Sequence, residues 1–96
     1  MTSLSTHVLD TEDGRPAQDV RVELHRDGKL VAERQTDVDG RIADLLPGLE
    51  PGVYRLVFHP PSSFFRRVEL EIELGEGHTH VPLLVSSYAC MSYRGS

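Results

Sequence analysis

Residues 67–74 read Arg67-Val68-Glu69-Leu70-Glu71-Ile72-Glu73-Leu74, with an apolar residue at every second position and a charge between each pair. Successive side chains of an extended chain point to opposite faces, so Val68, Leu70, Ile72 and Leu74 share one side and Arg67, Glu69, Glu71 and Glu73 the other. The stretch is therefore a strand with one face in the core and one in water. Val20, Val22 and Leu24, opposed by Arg21, Glu23 and His25, repeat the pattern.

Working outward from these two, the spacing predicts strands over Leu4–Leu9, Asp19–Arg26, Leu30–Thr36, Arg41–Leu46, Val53–His59, Phe64–Leu74, His78–Val85 and Tyr88–Tyr93. Between them stand Asp13-Gly14-Arg15-Pro16, Asp27-Gly28, Asp39-Gly40, Pro47-Gly48, Pro51-Gly52, Pro60-Pro61 and Gly75-Glu76-Gly77, compositions that reverse a chain. No helical period survives a full window. Eight short strands with frequent turns imply an all-β, two-sheet antiparallel sandwich. Pro82 strains that reading, because a proline removes a ladder donor and usually marks an edge or a break.

The 96 residues suit one domain, 1–96. Such a short chain buries a modest core, so self-association is expected to add stability. The formal net charge of -5 repels phosphate backbones and anionic lipid surfaces, which argues against nucleic acid and membrane partners. Cys90 stands alone, residues 1–20 show no signal-peptide pattern and no apolar run approaches a bilayer's width. The expected location is the cytoplasm.

Five histidines and an unusual ending are the candidate chemistry. His25 belongs to the polar face of its strand and His59 precedes a proline turn, so both are expected to be solvated. His78 and His80 lie on one face of a single strand and could bind a transition metal if His7 approached, but no Cys, Asp or Glu stands at ligand spacing beside them. No metal is expected. His78 also reads as an ordinary surface residue at a hairpin start, a description that fits His80 less well. Cys90 has no nearby base and reads as packing. Asp37-Val38-Asp39-Gly40 lacks the rest of a calcium loop and reads as an acidic turn. In the tail, Tyr93-Arg94-Gly95-Ser96, residues that would ordinarily fray are joined directly to a strand.

Three blocks together resemble the transthyretin-like family of 5-hydroxyisourate hydrolases: LSTHVLDTEDGRPA at Leu4 to Ala17, TDVDGR at Thr36 to Arg41, and HTHVPLLV with YRGS at His78 to Val85 and Tyr93 to Ser96. The tetrapeptide is the most specific of them, and the resemblance covers nearly the whole chain. It implies a prealbumin-like sandwich, a homotetramer with sites along a channel between dimers, and no cofactor. The implied activity opens the cyclic amide of 5-hydroxyisourate to give 2-oxo-4-hydroxy-4-carboxy-5-ureidoimidazoline. By residue, it places His7, Arg41, His80 and Ser96 in catalysis. It places Tyr93, Arg94 and Gly95 beside His7 and Arg41 in substrate binding.

The chemistry fits those residue types. Opening a ring amide needs a deprotonated water, a stabilised oxyanion and a held heterocycle, tasks suited to imidazole, guanidinium and hydroxyl groups. Either His7 or His80 can be the base, and Arg41 can fork onto an oxygen or a ring nitrogen. The chain departs from the family at two places. Only Pro60-Pro61-Ser62-Ser63 spans a connection where the family has a short helix, so no helix is expected. Thr79, Ser87, Cys90 and Met91 replace residues commoner there, and alternation places Met91 beside Tyr93 and Gly95, toward substrate. A related cyclic ureide, or a non-catalytic small-molecule carrier, are the alternatives.

Overall fold

Alternation along the chain becomes nine short strands in the computed structural model, which describes residues 1–95. They are β1 (Thr2–Asp10), β2 (Arg15–Pro16), β3 (Arg21–Arg26), β4 (Lys29–Gln35), β5 (Arg41–Ile42), β6 (Gly52–His59), β7 (Val68–Leu74), β8 (Gly77–Val85) and β9 (Cys90–Ser92). One sheet runs β2-β1-β8-β9, with β5 also paired to β1; the other runs β4-β3-β6-β7. We call them the first and second sheets. The two-sheet, all-β expectation holds, and no helix occurs among the described residues.

Each sheet turns one set of alternating side chains inward. Leu4, Val8, Val81, Leu83 and Val85 from the first sheet meet Val22, Leu24, Tyr54, Leu56, Phe58 and Leu74 from the second, all nearly or fully buried. Removing this apolar surface from water is the main source of stability, and even one lost methylene here would be felt. Thr6, though inward, donates its hydroxyl to the Val81 carbonyl at 2.6 Å and so satisfies itself within the core.

Four sequence expectations need correction. The sandwich is not wholly antiparallel, because β1 and β8 run parallel over their full lengths, from Thr2 opposite Gly77 to Asp10 opposite Val85. The chain crosses from the second sheet to the first between β7 and β8, and it enters β8 in the direction of β1. The Arg41–Leu46 strand shrinks to Arg41–Ile42. Beyond it Leu45 leaves the ladder and plugs the core, its amide donating to the Leu4 carbonyl at 2.9 Å.

The Phe64–Leu74 strand begins only at Val68, because the Ser62 hydroxyl accepts from the amides of Phe64 and Phe65 and holds them in a turn. Likewise the Tyr88–Tyr93 strand is confined to Cys90–Ser92, after a turn closed by the Ser86 amide on the Ala89 carbonyl.

Pro82 neither ends nor edges its strand. It sits inside β8, opposite His7 on β1. Its missing donor matters on the other side. Leu83, Leu84 and Val85 pair with Ser92, Met91 and Cys90, and His80 pairs again with Gly95 in the same register. Tyr93 and Arg94 between them are unpaired, where Pro82 offers no N–H. The proline thus releases two residues of the tail while the ladder recaptures the third.

Candidate active site

Inward Leu4, Thr6 and Val8 leave Ser3, Ser5 and His7 on the outer face of β1, and inward Val81, Leu83 and Val85 leave His78, His80 and Pro82 on the outer face of β8. The parallel register sets Ser3 opposite His78 and Ser5 opposite His80, while the β1 and β5 pairing sets His7 opposite Arg41. Three residues far apart in sequence, His7, Arg41 and His80, therefore share the outer face of the first sheet.

The turn at 37–40 is what delivers Arg41. The Asp37 carboxylate accepts from the amides of Asp39 and Arg41, each at 2.9 Å, while the Gly40 amide donates to the Asp37 carbonyl. Gly40 has φ 74°, and a Cβ there would lie 2.5 Å from the Val8 carbonyl oxygen, so only glycine lets the turn lie this close to β1. The acidic turn read from the sequence is thus a bracket for the site and not a calcium loop.

The same bracket fixes His7. Its Nε2 donates to the Asp39 carbonyl at 2.8 Å. A carbonyl can only accept, so Nε2 carries a proton and Nδ1 is the ring nitrogen left facing outward. With Leu9, Pro16, Asp39 and Arg41, His7 lines a shallow hollow of about 300 Å³.

His80 is held differently. Its Nδ1 lies 2.7 Å from the Ser5 hydroxyl, and its Nε2 has no partner among the described residues. Burial pushes its pKa below the usual 6.5, and the nearby charges of His7, His78 and Arg41 push the same way. A neutral ring with a lone pair is therefore the resting form near neutral pH. Gly95 closes over this ring: its amide donates to the His80 carbonyl at 2.6 Å, and a Cβ would stand 2.9 Å from the ring's Cδ2. The tail touches the site through a residue whose lack of a side chain is required.

The other expected residues divide. Met91, 59% exposed, pairs with Leu84 and so falls on the outer face, the parity read from the sequence. Tyr93 and Arg94 line a separate cleft with Leu70, Ile72, Thr79 and Val81, between the edges of the two sheets. They are not gathered with His7 and Arg41 in one hollow. Ser96 lies outside the described residues.

Sequence reasoning missed Ser5 and the Asp39 carbonyl. The signal for Ser5 was present in Ser3-Leu4-Ser5-Thr6-His7, where three polar residues alternate on one strand face. His78 also gains a role, bonded to Ser3 through Nδ1 at 2.6 Å and to Ser5 through Nε2 at 2.8 Å. Among the described residues no three metal-ligating side chains converge, so these histidines are held by hydroxyls and a carbonyl.

His25 and His59 are not simply solvated. On the second sheet each donates through Nε2 to a separate oxygen of Glu23, at 2.8 Å for His25, and their side chains are 17% and 26% exposed.

Residues 4–95 match the model of the HIUase/Transthyretin family. The chain is 38% identical to 5-hydroxyisourate hydrolase 2 of Rhizobium meliloti, over 97% of this chain and 95% of that protein. The structure of Klebsiella pneumoniae 5-hydroxyisourate hydrolase superposes with a TM-score of 0.91 at 35% identity, covering 98% of this chain and 99% of that one. Sea bream transthyretin in complex with thyroxine gives a TM-score of 0.83 at 25% identity, covering 96% and 93% of the two chains.

Proposed function

The chain belongs to the HIUase/Transthyretin family, and on that premise we propose that it hydrolyses the cyclic amide of 5-hydroxyisourate in urate degradation. The observation that carries the reading is full-length similarity to hydrolases of that substrate, on a chain whose outer sheet face collects His7, Arg41 and His80. Sea bream transthyretin shares the fold and binds thyroxine, which leaves a carrier as the rival. The His80 ring, held neutral by burial, favours catalysis, because a binding site has no need of a base.

In the proposed reaction the substrate lies flat over the outer face of the first sheet. His80 Nε2 takes a proton from the attacking water, in keeping with its lone pair and its lowered pKa. The Arg41 guanidinium stabilises the oxyanion as the carbonyl becomes tetrahedral. His7, its ring locked by Asp39, presents Nδ1 to orient the water. Gly95 holds His80 in place, and Tyr93, Arg94 and Met91 border the substrate. No cofactor takes part.

Tyr93 and Arg94 open toward the sheet edges and Met91 is exposed, which suits a site completed by a neighbouring copy. We assign the working form as a homotetramer in the cytoplasm, with the outer faces of the first sheets lining a shared channel.

The test generates 5-hydroxyisourate in place from urate with urate oxidase and follows its loss by absorbance, with and without the protein. Acceleration well beyond spontaneous decay supports the reading. Unchanged decay together with saturable binding of the compound would favour the carrier.

A further inference from the structure

The outer face of the first sheet holds one group that the proposed reaction leaves idle. His78 is exposed, yet both of its ring nitrogens are engaged, Nδ1 by Ser3 and Nε2 by Ser5. The hydroxyl of Ser5, itself only 8% exposed, is also bonded to His80 Nδ1. One buried hydroxyl thus lies between two imidazoles. The line Ser3, His78, Ser5, His80 runs from the water-exposed edge to the nitrogen opposite the one that faces substrate.

We infer that Ser5 and His78 form a proton relay for His80, with His78 a positioning residue that acts on the reaction only through the Ser5 hydroxyl. The inference rests on the hydrolytic reading above. A hydroxyl has one proton and can accept another bond, and a neutral imidazole donates at one nitrogen and accepts at the other. All three bonds can therefore point outward together or inward together.

In the outward arrangement His80 Nδ1–H donates to Ser5, Ser5 donates to His78 Nε2, and His78 Nδ1–H donates to Ser3. When His80 Nε2 takes a proton from the attacking water, the Nδ1 proton passes to Ser5 Oγ. Ser5 gives its own proton to His78 Nε2, His78 Nδ1 gives its proton to Ser3, and the Ser3 hydroxyl proton leaves to bulk water. One proton enters and one leaves. Both rings end neutral with their tautomers exchanged, and His80 Nε2–H is then poised to donate to the leaving nitrogen.

The benefit follows from the surroundings. A cationic His80 would be disfavoured by its burial, by Arg41 on β5, by His7 on β1 and by His78 on its own strand. Among the described residues no carboxylate is bonded to the His80 ring to offset this, its partner being the Ser5 hydroxyl. A base with a lowered pKa is also a weak one. Passing the second proton outward lets His80 act as a base without ever bearing the charge that the site resists.

The decisive experiment compares wild type, His78→Ala, Ser5→Ala and the double variant on 5-hydroxyisourate made in place from urate, in increasing concentrations of imidazole. His78→Ala is expected to lower kcat by roughly a hundredfold with KM unchanged, the low end of what an assisted proton transfer contributes. Added imidazole should restore it, since a soluble base can take the proton from Ser5 at the vacated, exposed position. The double variant should be no slower than Ser5→Ala alone, because His78 has no route to His80 without the hydroxyl. A wild-type kcat in His78→Ala, or a loss that imidazole does not restore, would overturn the relay.

If the wild type leaves the substrate untouched, the hydrolytic reading is what fails, and the relay is then decided by histidine ring ¹⁵N NMR. His78→Gln should shift the His80 ring signals in the wild-type background and leave them fixed in Ser5→Ala. Signals unmoved in both backgrounds would show that no coupling runs through Ser5.

Discussion

The two sheets each carry histidines on an outer face, and they hold them in opposite ways. On the second sheet His25 and His59 both donate to Glu23, whose carboxyl is kept below its ordinary range chiefly by the bond from His59 and next by that from His25. Arg21, 3.9 Å from the same carboxylate and 3.0 Å from Glu33, continues the ion-pair network. On the first sheet His7, His78 and His80 bond to a carbonyl and two hydroxyls. A carboxylate occupies an imidazole N–H and neutralises its charge. Hydroxyls fix a ring's orientation while leaving it uncharged, with a lone pair to use. The partner, rather than the histidine itself, thus sets what each ring is free to do.

The largest expected effect separates the faces by activity. His7→Ala, Arg41→Ala and His80→Ala should each fold normally and each lower kcat/KM by at least roughly a hundredfold, as loss of an acid-base or oxyanion group does. His25→Ala and His59→Ala should remain within about threefold of wild type, as changes away from the reacting atoms do. Steady-state kinetics beside thermal melts check both halves. Comparable losses on the two faces would break the comparison.

A smaller effect tests where the active face ends. The register places Met91 with Leu84 on the outer face. If substrate reaches that far, Met91→Ser should change kcat/KM for 5-hydroxyisourate by about tenfold, within the roughly 1 to 3 kcal/mol that one pocket contact is worth. Unchanged kinetics would put the boundary between Gly95 and Met91.

The fold was legible because burial alone sets alternation, and the run at Arg67 to Leu74 stated it without ambiguity. What alternation could not state is which strands pair. The parallel β1 and β8 match depends on the crossing from one sheet to the other, which local pattern does not encode. Strand ends were lost wherever a side chain captured backbone, as Ser62 does at Phe64 and Phe65. The grouping of His7, Arg41 and His80 on one sheet face was legible by resemblance, and the parity of Met91 by alternation. Ser5 and the Asp39 carbonyl were not, because a serine on a strand face and a main-chain oxygen carry no signature until the register sets them against a ring. The pairing of His25 and His59 on Glu23 was hidden for the same reason: Glu23 reaches His25 along its own strand but His59 only across to β6.

The difference in charge also gives the faces different pH behaviour. As the proposed base, His80 would act only when neutral; because burial and neighbouring cations depress it below 6.5, the acid limb of kcat/KM should lie below pH 6.5. Arg41→Gln removes one of those cations and should move the limb of the residual activity upward, while Glu23→Gln on the other sheet should leave it in place. The sign of the linkage to folding is the same: a histidine with a depressed folded pKa contributes stability above its unfolded value and loses it as pH falls through the folded one. A limb above 6.5 in wild type would assign the acid-side titration to a group other than His80.

The smallest effect belongs to the second sheet and is read in stability alone. Because Glu23 is held below its ordinary value of 4.5 by His59 and His25, its charged form is favoured in the folded chain. Its contribution is therefore present at pH above about 4.5 and fades as pH falls below that value through the folded pKa. Glu23→Gln should lower Tm slightly at neutral pH, by about 1 kcal/mol of stability, since the amide still offers one acceptor oxygen to the two rings. The gap to wild type should shrink below pH 4.5, where the wild-type carboxylate protonates as well. Activity of Glu23→Gln should stay within about twofold of wild type, the carboxylate being remote from the reacting face. A Tm gap that persists unchanged in acid would mean that Glu23 acts through packing and not through charge. The two faces would then differ in their partners but not in electrostatics.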